Sequence, residues 1–424
     1  LAKVEDLVKG DAILHHRVAR SETAKAAASD KSIVAPARFL AREVGARAPA
    51  SPGERSASRF VEREFKAMGV DAELQRFRTP VTTAWSQMTI HLIFVLGVLL
   101  FPLTWRLGYV LVFLGFIGFL MEEFGRSPLS WLQSFRKSEN VLARLPARGE
   151  ARKKLVIVAH IDSPRSAFYY QPKLVRFFRA FTVLDFVCMS LLFMVFTFSF
   201  GGSILNMESS TLDFFWRLAL IPLIIPLLAL FALAHKAFYG KPTPGANNNA
   251  SGVAVLLELG RTYARRRPQN IELWLATTGS ADAGGTGIRR LLGRNRSELR
   301  GAYYIVLDNV GNGLPVCFKK EGRIFSFHAN RKLLAIVREV FKVHPHYGSG
   351  FKRNGLYRNE TLQLLSRGKK AITLSTRDAK GPPPNWKWKK DDLDGLDPRS
   401  MRLTLDLIRS IVDKLDQEPR NRRA

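Results

Sequence analysis

Apolar positions follow two different patterns along this chain. In four places they run together almost without charge: Met88–Trp105, Leu107–Met121, Ala180–Phe200 and Leu218–Ala234. A bilayer crossing takes about 20 apolar residues, usually 17 to 25. The third run fits that length and the first and fourth lie near its lower bound. The second crosses fully only if it continues through Glu122 and Glu123. Buried core helices are the other reading, but unbroken aromatic runs this free of charge argue against it. The runs fall into pairs with short turns, which predicts two inserted transmembrane helical hairpins, at 86–124 and 178–236.

Elsewhere short apolar runs alternate with amphipathic stretches. Lys154–Asp162 (KLVIVAHID), Ile271–Thr278, Tyr303–Gly311 and Lys370–Thr376 read as buried strands. Between and after them, Asn249–Arg266, a stretch through Leu291, Asn330–Lys342 and Pro398–Leu415 read as helices. Strands alternating with helices predict an α/β fold, a mainly parallel sheet covered by helices on both faces. Functional side chains in such folds gather at the strand carboxyl ends. His160, Asp162, the Asn247–Asn249 triplet, Ala281, Asp282 and Asp308 all stand where a strand ends or a helix begins.

Charge adds an orientation. The 424 residues hold 65 Lys+Arg against 36 Asp+Glu, a formal charge of +29. Arg106 alone lies in the first hairpin's turn, and GGSILNMESSTLD in the second has no Lys or Arg. The flanking segments are crowded with both, so the positive-inside rule places both termini and the α/β mass in the cytoplasm. Anionic lipid of the cytoplasmic leaflet is then the expected partner of the basic surface. No recognition motif supports nucleic acid. Asp185, inside the third run, is expected to pair locally, with Arg179 nearby. The two cysteines, Cys188 and Cys317, argue against a disulfide framework. Residues 1–34 read as a basic N-terminal segment without the long apolar core of a signal peptide, and 417–424 as a basic tail.

The loop KPTPGANNNASG, from Lys241, sets three neutral amides where a loop enters a helix. Together with AREVGARAPASPGERSASRFVEREFKAMGVDAELQRF, SENVLARLPARGEARKKLVIVAHIDS and the chain onward to the last helix, it resembles the co-catalytic di-zinc aminopeptidases. That family also includes glutamate carboxypeptidases and glutaminyl cyclases. The resemblance implies one aminopeptidase-like domain in three pieces, 35–82, 138–170 and 241–416, with the hairpins inserted between them.

The resemblance also implies roles, and their loss. The family holds two zinc ions on a bridging carboxylate, with a His and a further carboxylate for each metal and a glutamate to activate water. His160 and Asp162 match a ligand and its orienting acid. Asn248 falls where the family has its bridging aspartate, and an amide cannot bridge two cations. Ala281 falls at the general base and Asp282, one methylene short, at the adjacent glutamate ligand. Asp308 matches an intact ligand. The last His ligand aligns with Lys387, or with Trp388 in a second alignment. Lys387 is then expected to supply the positive charge that the surviving acids need.

The expected function is a catalytically silent scaffold or accessory subunit that binds a protein partner in a membrane assembly. No residue is assigned to catalysis and no cofactor is expected. The alternative is a membrane-bound zinc aminopeptidase with one metal on His160, Asp308 and Asp282. His344 and His346, His328, Glu360 and the PPPNWKWKK stretch, read as a surface loop, are weaker signals.

Overall fold

The computed structural model describes residue 30 and residues 32–348, 350–377 and 381–418. Most of the predicted N-terminal segment and most of the predicted tail therefore lie outside the described residues. The strands are β1 (Asp71–Thr79), β2 (Arg136–Leu145), β3 (Lys153–His160), β4 (Ile271–Thr278), β5 (Tyr303–Leu307), β6 (Leu314–Glu321), β7 (Phe327–His328), β8 (Phe351–Asn354) and β9 (Lys370–Arg377). The helices used below are α1 (Pro52–Ala67), α2 (Ala84–Leu100), α3 (Trp105–Glu123), α4 (Phe178–Ile204), α5 (Ser209–Tyr239), α6 (Ser251–Arg265), α7 (Thr286–Arg294), α8 (Arg331–Val343), α9 (Glu360–Leu365) and α10 (Pro398–Gln417).

One sheet, in the order β1-β2-β4-β3-β5-β9-β6-β7 with β8 on β6, carries the domain. Its four central strands, β4-β3-β5-β9, run parallel. Their middles are mostly apolar because both faces are covered. Leu155, Ile157 and Ala159 pack under α1, α6, α8 and α10, while Val156 and Val158 face α7 and α9. The flanks are antiparallel: β1 on β2, β2 on β4, and β6 on β9. The mainly parallel expectation thus holds for the sheet's centre. The strand predicted over Tyr303–Gly311 stops at Leu307, where Asn309 adopts a left-handed backbone (φ +57°) and turns the chain. The helix predicted from Asn249 starts at Ser251, since Asn248 and Asn249 are not helical.

Four apolar helices leave the domain in pairs, α2 with α3 between β1 and β2, and α4 with α5 between β3 and the asparagine loop. Three of them, α3, α4 and α5, are long and apolar enough to cross a membrane; α2, with 17 residues, is shorter. Helix α3 does continue through Glu122 and Glu123, and α5 runs well past its predicted ends. Glycines let α2 and α3 meet backbone to backbone: a Cβ on Gly97 would lie 2.6 Å from the Val112 nitrogen. All four helices share one apolar core around Phe94, Met189, Phe196 and Leu223. Outward, Met194, Ile221 and Phe231 are more than half exposed, as expected of side chains that face lipid.

Ion pairs stitch the helix ends together and to the sheet domain. His91 on α2 meets Asp185 on α4 at 3.1 Å. Glu122 takes Arg358 at 3.1 Å, and Glu123 takes Arg323. The expected Asp185–Arg179 pair is therefore corrected. Asp185 is buried and faces the neighbouring hairpin, where His91 meets one of its two oxygens, Oδ2.

Arg47 is the domain's buried pin. It is fully buried, and its guanidinium donates to five carbonyl oxygens: Leu40, Gly45, Ile161, Pro244 and Gly245, at 2.6–3.0 Å. Those carbonyls belong to the opening segment, the end of β3 and the entry to the asparagine loop. Only a guanidinium offers five donors in one plane. Replacing Arg47 with Met should destabilise the purified chain by at least about 3 kcal/mol in thermal or denaturant unfolding, because it leaves buried acceptors unpaired. Arg47→Lys should recover only part of the loss.

Candidate active site

The candidate residues converge at the carboxyl ends of β3, β4 and β5. His160 closes β3 and is almost fully buried. Its Nδ1 lies 3.0 Å from the Asp162 carbonyl oxygen and 3.5 Å from the Asp162 carboxylate, and its Nε2 lies 3.8 Å from Asp308. Burial alone would lower the imidazole's pKa, but these two acids outweigh it and hold the ring well above its usual value.

Asp162 does more than orient that ring. Its carboxylate accepts the backbone N–H groups of Ala281 and Asp282, both at 2.9 Å, and so shapes the loop after β4. The same loop is held from below by Glu54, which accepts from the Ser280 N–H at 2.6 Å and the Ser138 hydroxyl at 2.8 Å. Burial, then the nearby Asp162 charge, lifts Glu54 to about 8. Ser280 takes a left-handed backbone there (φ +59°), held by these bonds.

The asparagine loop is buried throughout. Its amides tie the loop down rather than lining a cleft. Asn249 donates to the Leu307 carbonyl at 2.8 Å and accepts from the Asn309 N–H at 3.1 Å, while Asn247 accepts from the Gly311 N–H at 2.8 Å. Asp391 caps the loop by accepting the backbone N–H groups of Asn247 (2.8 Å) and Asn248 (3.0 Å).

Asp282 and Lys387 meet in a buried contact, the ammonium directly on one carboxylate oxygen. Lys236, from the end of α5, lies 3.9 Å from the other oxygen. Burial alone would raise the Asp282 carboxyl, but Lys236 and Lys387 override it and hold it at about 2. Lys387 is shifted upward by the same partner. It adopts a left-handed backbone (φ +55°), uncommon for a long side chain. The PPPNWKWKK stretch is accordingly corrected from a surface loop to an inward one. Trp386 is buried, with its ring 4.9 Å from Tyr357 and 5.1 Å from Tyr170.

Other candidates stand apart. His344 stacks on Tyr347 and His346 meets the same ring edge-on beyond α8, and His328 is exposed on the edge strand β7. Glu360 does belong to the site's surroundings. It is buried, accepts from the Thr278 hydroxyl at 2.6 Å, and is raised by burial to about 7 despite the opposing pull of His160. Lys236, Arg47, Glu54 and Asp391 carry no motif that marks them in the sequence. Lys236 shows the one visible signal, a cation closing a long apolar run.

Comparison with known proteins places this geometry. The model of peptidase family M28 matches residues 230–412. No curated protein matches the chain. Among solved structures, a leucine aminopeptidase precursor from Bacteroides thetaiotaomicron is 15% identical with a TM-score of 0.54, over 92% of this chain and 97% of that one. A glutaminyl cyclase from the same organism is 14% identical with a TM-score of 0.53, over 92% and 98%. A Zn-dependent exopeptidase from Parabacteroides distasonis is 12% identical with a TM-score of 0.52, over 90% and 97%. The chain is thus similar to the M28 peptidases over residues 230–412 and has the mixed α/β fold of these solved structures.

These relatives correct the expectation that no cofactor is needed, because they make zinc the metal implied for this fold. The donor set departs from what a pair of zinc ions requires. Asn248, expected at the bridging position, offers only an amide, Asp282 is engaged by two ammonium groups, and His160 and Asp308 lie 3.8 Å apart. Among the described residues, no group of three or more His, Cys, Asp or Glu is arranged to hold a metal ion. The residues present do not fit a zinc pair.

Glu321, at the end of β6, supplies a pH test of this buried region. Burial lifts its carboxyl from 4.5 to about 7 against hydrogen bonds from Thr373, Asn354 and Asn359. A raised carboxyl binds its proton more tightly when folded, so its contribution is complete below about 4.5 and is lost as pH rises through about 7. Melting temperature should fall between pH 5 and 8, and Glu321→Gln should flatten that slope.

Proposed function

We propose that this M28 peptidase relative is anchored in a membrane by its four apolar helices, with the α/β domain in the cytoplasm. It does not hydrolyse peptides; it serves as a scaffold or accessory subunit that binds a protein partner in a membrane assembly. In this reading the hairpins occupy 86–124 and 178–236, inserted in a domain of 35–82, 138–170 and 241–416.

The observation that carries this reading is the Lys387–Asp282 contact beside Ala281. Alanine takes no proton, so the position aligned with the general base is inert. The neighbouring carboxylates are already occupied. Asp162 is bound by two loop N–H groups, and Glu54 by the Ala50 and Ser280 N–H groups. Lys387 and Lys236 supply positive charge to the acid that the family gives to metal. The basic surface then faces anionic lipid headgroups.

One observation favours a second reading, a membrane-bound zinc aminopeptidase with a single-metal site. His160 and Asp308 are retained 3.8 Å apart, and Glu360, near His160, has one oxygen, Oε2, without a hydrogen-bond partner. Turnover separates the two. Purified full-length chain supplied with zinc should hydrolyse an amino-acid p-nitroanilide no faster than its His160→Ala variant. Stoichiometric zinc with turnover abolished by both His160→Ala and Glu360→Gln would establish the second reading instead.

Lys387 gives a stability test. Removing one partner of a buried ion pair costs about 3–5 kcal/mol. Lys387→Met should show a loss of that order in unfolding experiments, and adding Asp282→Asn should restore most of it. Unchanged stability in the single variant would contradict the charge-replacement role. The anchoring is checked separately: the chain should resist alkaline extraction, and protease should reach the α/β domain only from the cytoplasmic face.

A further inference from the structure

Between the sheet domain and the helix bundle lies a chamber of about 400 Å³, within the usual range for small-molecule sites. All four apolar helices contribute their domain-side ends to it, and the Ala281–Asp282 loop, Trp386 and Lys387 close its other side. Its walls are largely apolar, including Phe119, Phe181, Leu228 and Leu233. Phe168, Leu174 and Phe177 line it too, yet are 40–55% exposed. The chamber therefore has a mouth of exposed apolar side chains at the level where the helices leave the domain.

Its polar groups are unevenly used. Glu122–Arg358, Glu123–Arg323 and His91–Asp185 are matched pairs. The remaining cluster is not balanced: Asp282 carries one negative charge against the two ammonium groups of Lys387 and Lys236, and Lys236 stands off at 3.9 Å. Two buried donors on the lining, Trp386 Nε1 and Arg323 Nε, have no hydrogen-bond partner, and buried N–H groups rarely stay unpaired. One acceptor, Asp185 Oδ1, is also unpartnered, beside His91.

We propose that the chamber binds a single-chain anionic amphiphile drawn from the membrane. The tail lies among the four helix ends. The head, a carboxylate or a phosphate monoester, sits at Lys236 and the free donors. An acyl-length tail matches the apolar walls, and one negative charge neutralises the cluster's surplus. This inference rests on the membrane reading above, but not on the absence of hydrolysis.

The test uses the full chain in nanodiscs of phosphatidylcholine, labelled with a photoreactive 16-carbon fatty acid. Labelling should saturate at one per chain and map to the domain-side ends of α4 and α5. Palmitate or hexadecyl phosphate should compete at least about tenfold better than hexadecanol, as expected of a charge-assisted contact, and butyrate should not compete. The stronger of the two anions identifies the head. Ala232→Trp, which fills the tail space, should abolish labelling. Lys236→Met should weaken it about tenfold while leaving the apolar walls in place. Melting temperature, read alongside, shows that both variants are folded. Labelling that does not saturate, equal competition by hexadecanol, or unchanged labelling in a folded Ala232→Trp chain would overturn the proposal. So would crosslinking of the chamber in native membranes to a second polypeptide, insensitive to palmitate. Failure of the membrane reading would show independently, as release by alkaline extraction.

Discussion

The Asp282 carboxylate is buried with one ammonium on one oxygen and a second ammonium 3.9 Å from the other. Taking a lone carboxylate out of water is expensive, and its neutralisation depends on what surrounds it. Two lysines from distant parts of the chain fill that need here: Lys387 from the loop before α10, Lys236 from the last turn of α5. The contact therefore ties three things together, the loop after β4, the tryptophan-rich loop and an apolar helix. Lys387 is delivered from a left-handed backbone, and the ring of Trp386 beside it is wedged between Tyr170 and Tyr357. Nothing so constrained would be needed to place a solvated lysine.

The seam between helices and domain obeys the same logic. Glu122, Glu123 and Asp185 sit near helix ends where a lone buried charge would be costly; the two glutamates meet arginines and Asp185 meets His91. Both arginines, Arg358 and Arg323, come from the sheet domain. Charge pairs, rather than apolar packing alone, thus set how the bundle docks on the domain. They also prevent the seam from closing completely, because bulky paired side chains and aromatic rings leave the chamber between them.

The parallel centre of the sheet was legible because β3, β4, β5 and β9 are apolar on both faces and read as continuous runs. The antiparallel flank was not. β6 carries charged residues such as Lys319 and Lys320, and its antiparallel partner β9 is far away in sequence. His160, Asp162, Asp282 and Asp308 were legible from position at strand ends, and Lys387 only through alignment. Arg47 and Asp391 were invisible for a physical reason: their importance lies in bonds to backbone groups of remote loops, and no side-chain pattern announces those. Trp386 was misread because a Pro-rich basic stretch looks solvated, while its aromatic members supply enough apolar surface to turn it inward.

The asparagine loop shows why the domain keeps its shape with an amide at the bridging position. Asn249 links the β5 carbonyl of Leu307 to the turn at Asn309, and Asn247 holds Gly311. Asp391 secures the loop's own N–H groups, and Arg47 its entry carbonyls. The loop is held by hydrogen bonds on both sides of Asn248, through Asn247, Asn249 and the two N–H groups bound by Asp391. The side-chain bonds that hold the loop thus come from Asn247 and Asn249 rather than from Asn248, and the neighbouring lysines supply positive charge beside the buried Asp282 carboxylate.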